Sequence, residues 1–219
     1  MSKKTGTLVI IEKNHPLYNK ISALHHTRSA EEALNSFETY DLIIDLTSFK
    51  TKNKIKFLNE IYKTSKAKII SDLTLCWAEM VKNEVSTLVG AISLLFYSPT
   101  NHVEASFITD EFNQELIGFI HSLDMLPTIH KNLALGFHYP RVISMIVNEA
   151  YFAKEENLAS DKDIDLAMKN GVNYPLGPIE WGQKIGLQHI QSLLEEYYLI
   201  TEDPRYRISS GLKLAGKNL

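Results

Sequence analysis

The stretch Ala159-Ser-Asp-Lys-Asp-Ile-Asp-Leu-Ala-Met-Lys-Asn-Gly-Val-Asn-Tyr-Pro-Leu-Gly-Pro-Ile-Glu180 carries start and stop signals for successive helices. Ser160-Asp-Lys-Asp163 opens one by capping logic, a hydroxyl ahead of the first turn with carboxylates inside it, and Asn170-Gly171 is expected to close it at a left-handed position. Gly177-Pro178 begins the next with proline in its first turn, and Gly186 ends it. Leu187, Ile190, Leu193, Leu194, Tyr197 and Tyr198 then make an amphipathic face that stops before Asp203-Pro204. Ahead of this run, Val142 to Ala153 is apolar nearly all round, which predicts a helix buried on more than one side. The last third of the chain reads as an all-helical unit.

Further upstream the grammar changes. Thr7-Leu-Val-Ile-Ile11 and Asp41-Leu-Ile-Ile-Asp45 are short β-branched runs suited to strands buried on both faces. Between them Ser29-Ala-Glu-Glu32 spells a capping box that opens a helix expected to run through Phe37. Ile55, Leu58, Ile61 and Tyr62 fall at helical spacing, Ala67 to Ile70 resumes a strand, Leu88 to Tyr97 and Val103 to Ile108 predict two more, and Asp110 is expected to cap a further helix. Alternation of this kind predicts an α/β domain with a mostly parallel, helix-covered sheet over residues 1–131, followed by a helical domain over 132–219. Glycine usage divides the chain in the same sense: none lies between Gly6 and Gly90, whereas six of the ten lie at or after residue 171.

Bulk properties narrow the function classes. With 219 residues and 44% apolar content the chain can bury a sizeable core, and its 23 basic against 26 acidic residues form no long blocks. Nucleic acid and anionic membranes are bound by concentrated basic charge, so neither is an expected partner. One cysteine, Cys76, excludes an internal disulfide framework and any multi-cysteine zinc site, in keeping with a cytoplasmic setting. No signal peptide or membrane-spanning segment is expected from the apolar pattern.

The helical stretch quoted above, with Ile185-Gly-Leu187 and Asp203-Pro-Arg-Tyr-Arg207, closely resembles the C-terminal domain of the 3-hydroxyacyl-CoA dehydrogenase family. Tyr40 to Asp45 is similar to that family's middle strand, and Gly136-Phe137 with Arg141 to its entry into the first C-terminal helix. The resemblance implies a Rossmann-like domain that binds NAD, a helical domain that makes a dimer contact, and oxidation of 3-hydroxyacyl-CoA.

The chain departs from that pattern at its chemical positions. A dinucleotide-binding turn needs glycines so that the backbone can approach the pyrophosphate and leave helix amides aimed at it. Here the first strand is followed by Glu12-Lys-Asn-His-Pro16, which adds a carboxylate and a residue without an amide hydrogen. The second strand, whose end supplies the ribose-binding acid, is expected to be missing with much of the helix before it, so the sheet domain reads as a reduced one. Leu94-Leu-Phe-Tyr-Ser-Pro99 resembles the family's Leu-His-Phe-Phe-Asn-Pro strand, with Leu95 in place of the base histidine and Ser98 in place of asparagine. The partner glutamate falls at Glu104, and Pro140 replaces the site asparagine. Ser71 and Thr74 keep hydroxyls where the family has its Ser-Asn-Thr-Ser run, which makes them, with Arg141 as a holder of a CoA phosphate, the candidate substrate contacts.

The remaining signals are weaker. None of the eight histidines has metal-ligand spacing, so no metal is expected. His102, two positions from Glu104 on the same strand face, is the candidate for a relocated base, against the plainer reading that alternation makes such pairs common. Cys76, with no basic neighbour before Lys82, reads as a buried inert thiol. Three functions stay open at this point. The first is a catalytically degenerate homodimer of fatty-acid metabolism that binds acyl-CoA or a partner, with no cofactor expected. The second is an active NAD-dependent dehydrogenase using His102 and Glu104; the third, a structural subunit paired with an active paralogue.

Overall fold

The computed structural model describes residues 6–36 and 38–217. They form two compact units, 1–137 and 138–219, so the division falls a few residues after the 131/132 boundary drawn from the sequence.

The first unit is a seven-stranded sheet ordered β2-β1-β3-β4-β5-β6-β7. Its strands are β1 (Thr7–Ile10), β2 (Thr27–Arg28), β3 (Leu42–Asp45), β4 (Lys68–Asp72), β5 (Leu88–Ile92), β6 (His102–Phe107) and β7 (Leu126–Ile129). β2, β1, β3, β4 and β5 are mutually parallel, β6 runs antiparallel to β5, and β7 pairs parallel to β6. The helices are α1 (Tyr18–Leu24), α2 (Ala30–Leu34), α3 (Thr51–Ser65), α4 (Ala78–Glu84) and α5 (Asn113–Ser122). Alternation along each strand sorts the apolar runs into two cores. Leu8, Ile10, Ile43 and Ile69 join Leu58, Ile61 and Val81 on one face. Val9, Ile11, Leu42, Ile44 and Ile70 join Ile21, Leu116, Phe119 and Ile120 on the other.

Several expectations need correction. The second strand is present, reduced to two residues with Val9 opposite Thr27, and α1 precedes it. The capping box forms as read, Glu32 N–H to Ser29 Oγ at 3.2 Å and Ser29 N–H to Glu32 Oε2 at 2.8 Å, but α2 stops at Leu34 and Phe37 lies outside the described residues. The strand read over Leu88 to Tyr97 ends at Ile92: Ser93 N–H still donates to the Glu104 carbonyl, and the Leu94 and Leu95 amides then turn to the Asp72 side chain. Asp110 does not cap α5; Phe112, left-handed at φ 61°, precedes it. The short edge strand β7 and helix α4 went unread, the first because Pro127 and polar neighbours break its pattern.

The second unit contains α6 (His138–Glu155), α7 (Asp161–Gly171), α8 (Pro178–Ile185), α9 (Leu187–Thr201), a 3-10 turn (Pro204–Tyr206) and α10 (Ser210–Ala215). Ser160 caps α7, accepting from Asp163 N–H at 3.2 Å, and Pro178 opens α8. α7 includes Gly171, and the left-handed residue is Asn173 rather than Gly171. Gly186, at φ 94°, separates α8 from α9. The Tyr174 to Pro178 turn is held by Asp165, whose carboxylate accepts from Ile179 N–H at 2.8 Å and Glu180 N–H at 3.1 Å. A Cβ on Gly177 would come within 2.1 Å of that carboxylate, so only glycine lets the cap approach. Asn148, buried in α6, donates to Arg207 C=O and accepts from Ser209 N–H, tying the C-terminal segment down.

Candidate functional site

Open parallel sheets bind ligands beyond the carboxyl ends of their strands, and in a dinucleotide fold the first turn supplies the anion-binding amides. In this chain that edge is occupied by its own side chains.

At the end of β1, Glu12 Oε1 accepts the Ala30 N–H at 2.8 Å, placing a carboxylate against the start of α2. The turn that follows spends its own donors: His15 N–H goes to Glu12 C=O, Leu17 N–H to His15 Nδ1 at 3.1 Å, and Tyr18 N–H to His15 C=O. Pro16 has no donor, and α1 is only seven residues long, which leaves little helix dipole to attract an anion. These residues do not fit a dinucleotide. The turn lacks the glycines for close approach, the His15, Leu17 and Tyr18 amides are committed, and a carboxylate stands where negative phosphates would need positive potential.

The ends of β3 and β4 are closed by a buried polar network. Asp45, fully buried, accepts from Lys54 Nζ at 2.6 Å, from Ser71 Oγ at 2.6 Å and from Thr47 Oγ1 at 2.7 Å. Lys54, also at 0% exposure, completes its donor set with the Thr47 carbonyl at 2.6 Å and Thr47 Oγ1 at 2.9 Å. An ammonium with its three hydrogens placed is stable in the interior, and removal of either ion would leave the other uncompensated. One strand along, Asp72 accepts from Thr74 N–H at 2.8 Å, Leu94 N–H at 2.8 Å and Leu95 N–H at 3.0 Å.

Each residue singled out from the sequence can now be placed. Ser71 and Thr74 keep their hydroxyls, but both are buried and turned inward, Ser71 to Asp45 and Thr74 Oγ1 to Ser93 Oγ at 3.0 Å; neither is presented to a substrate. Leu95, which the resemblance sets in place of the family's base, is 3% exposed and part of the core. Arg141 lies in the first turn of α6, within the helical unit. His102 and Glu104 do share a face of β6, yet Glu104 Oε1 pairs with His130 Nε2 at 2.8 Å while His102 Nδ1 meets Thr128 Oγ1 at 3.4 Å. The histidine at Glu104 is therefore His130, directly after β7. The register explains it, since Glu104 faces Thr128 and the next residue on that face of β7 is two positions on. Cys76 is buried, its sulfur 3.2 Å from the Phe49 carbonyl.

The sequence reading missed Lys54, Asp72 and His130, and took Glu12 only as a repulsive charge. For Lys54 a signal existed: it falls on the stripe that carries Leu58 and Ile61, a cation on the buried face of α3.

Comparison with known proteins matches this architecture. Residues 136–218 match the family model for the 3-hydroxyacyl-CoA dehydrogenase C-terminal domain. The 3-hydroxyadipyl-CoA dehydrogenase of Escherichia coli is 47% identical over 73 residues, 33% of this chain and 15% of that protein. The 3-hydroxybutyryl-CoA dehydrogenase of Bradyrhizobium diazoefficiens is 24% identical over 81% of this chain and 63% of its own length. The chain thus spans less than two thirds of either relative. Among solved structures, (S)-3-hydroxybutyryl-CoA dehydrogenase PaaH1 of Ralstonia eutropha shares the fold at a TM-score of 0.65 and 23% identity, over 88% of this chain and 70% of that one. FadB2 of M. tuberculosis does so at 0.67 and 16%, over 90% and 71%. Residues 136–218 are thus a domain of the 3-hydroxyacyl-CoA dehydrogenase C-terminal type, and the chain as a whole shares the fold of these dehydrogenases.

Proposed function

We propose that this chain is a catalytically degenerate member of its family that has given up the dinucleotide. In this reading it acts in fatty-acid metabolism as a homodimeric protein that binds an acyl-CoA thioester or a protein partner, with the helical unit as the dimer contact. The observation that carries the reading is the Glu12 carboxylate seated on Ala30 N–H at 2.8 Å in a turn without glycine. The buried leucine at position 95 supports it, since a leucine cannot take up a proton. Calorimetric titration of acetoacetyl-CoA against the purified chain, with mass measurement in solution, tests the proposal. It expects no NADH-dependent turnover and a homodimer. Turnover at a family-like rate would overturn it, and stable co-purification with an intact paralogue would favour the structural-subunit reading.

One observation favours a second reading, an active dehydrogenase with an altered site. Glu104 keeps a histidine partner, now His130 at 2.8 Å, and a carboxylate that orients an imidazole is the arrangement of a general base. NADH consumption that disappears in His130→Gln and Glu104→Gln, while His102→Gln is unaffected, would establish that reading.

A further inference from the structure

A cavity of about 300 Å³ opens at the other end of the sheet from the closed carboxyl edge. β6 runs antiparallel to β5, with Phe107 opposite Gly90, so its last residues lie beside the amino end of β5. The cavity is lined there by Ser106 and Phe107 of β6, by Glu79 and Lys82 of α4, and by Lys131 and Leu133 of the segment after β7. Its walls are tied together by backbone bonds. Ala78 N–H and Glu79 N–H of α4 donate to the Leu135 and Ala134 carbonyls at 3.2 Å, and His130 N–H donates to Ala105 C=O at 2.8 Å.

Three features give this space a chemical character. Lys82 and Lys131 come from separate elements, both are exposed, and neither enters an ion pair among the described residues. Ser106 is only 2% exposed, yet its hydroxyl makes no hydrogen bond among the described residues and is not sealed from the cavity that the residue lines. A buried hydroxyl without a protein partner costs free energy unless water or a ligand supplies one. Ile108 and Leu133 add apolar wall.

From this juxtaposition we infer that the cavity is a binding site for a short-chain organic carboxylate, with Lys82 and Lys131 neutralising the head group, Ser106 donating to it and the apolar wall taking the chain. Two ammonium groups against the Glu79 carboxylate leave one net positive charge, which matches a monoanion and is too little for a phosphate dianion. At about 300 Å³ the space takes a head group with a chain of a few carbons. The N–H groups at the start of α4 are already bound to carbonyls, so the side chains carry the recognition.

The test is a titration of the full ¹⁵N-labelled chain with sodium hexanoate, followed by amide shifts and repeated with hexanol and with inorganic phosphate at matched ionic strength. Saturable shifts at amides 79–82, 106–108 and 131–134 are expected, with dissociation in the millimolar range or tighter. Ser106→Ala is expected to weaken binding about tenfold, the effect of one lost charge-assisted hydrogen bond, and Lys82→Gln/Lys131→Gln, which removes two, about a hundredfold. Both lysines are exposed, so the double variant is expected to keep the wild-type melting curve. Absence of saturable shifts at those amides, equal binding of hexanol, tighter binding of phosphate, or undiminished binding by the folded double variant would each overturn the assignment.

Discussion

Replacing Lys54 with methionine puts the closed carboxyl edge to a quantitative test. Methionine fills most of the space of the lysine stem but removes an ammonium that holds Asp45 Oδ2 at 2.6 Å and both oxygens of Thr47. Asp45, at 0% exposure, keeps hydrogen bonds from Ser71 and Thr47 and loses its only nearby ion partner among the described residues. Breaking a buried pair in this way costs about 3–5 kcal/mol. For a chain of this size each kcal/mol moves the melting temperature by about 2–4 °C, so Lys54→Met is expected to lower it by roughly 6–20 °C. Adding Asp45→Asn removes the stranded charge while keeping an acceptor, and is expected to restore more than half of the loss. Thermal unfolding followed by circular dichroism, checked by urea denaturation, reads both effects. A loss below about 1 kcal/mol in the single variant, or no recovery in the double, would show that water reaches the network and that the edge is open.

Other outcomes follow from single contacts. Ser29→Ala removes the cap of α2 and is expected to cost about 1 kcal/mol in urea denaturation, with Ser29→Asp close to wild type. Gly177→Ala drives a methyl into the Asp165 side chain, and is expected to destabilise the helical unit by about 2 kcal/mol or more in urea denaturation. Tyr40, its hydroxyl raised to about 12 by burial and by its bond to Glu38, ionises in the unfolded chain before it does in the folded one. The stability it contributes is therefore complete below pH 10 and lost between about pH 10 and 12, a slope that Tyr40→Phe is expected to flatten in denaturation curves taken across that range.

How far the sequence speaks differs between the two units. In the helical unit the signals are local, and Ser160, Pro178 and Gly186 each sit in the role their chemistry dictates. What escaped there was long-range: Asp165 reaches across a turn to cap α8, and Asn148 holds a segment far along the chain. In the sheet unit, β-branched runs marked β1, β3 and β4, whereas β2 was missed because two residues carry no periodicity and its place depends on pairing with β1. The site followed the same division. Departure from the family's pattern was legible at Leu95 and at the glycine-free turn, because the residue type at a position is a local fact. What fills the space was not, because Glu12 with Ala30, Asp45 with Ser71, and Glu104 with His130 are partners that only the fold brings together.

The most direct test of the central claim is a fluorescence titration of NADH against the folded chain, with and without acetoacetyl-CoA. The closed turn predicts no saturable change up to about millimolar NADH, and the same result with the thioester present. Saturable binding weakened by changes at Glu12 or Arg28 would contradict the account, because it would show that the β1 turn still receives a dinucleotide.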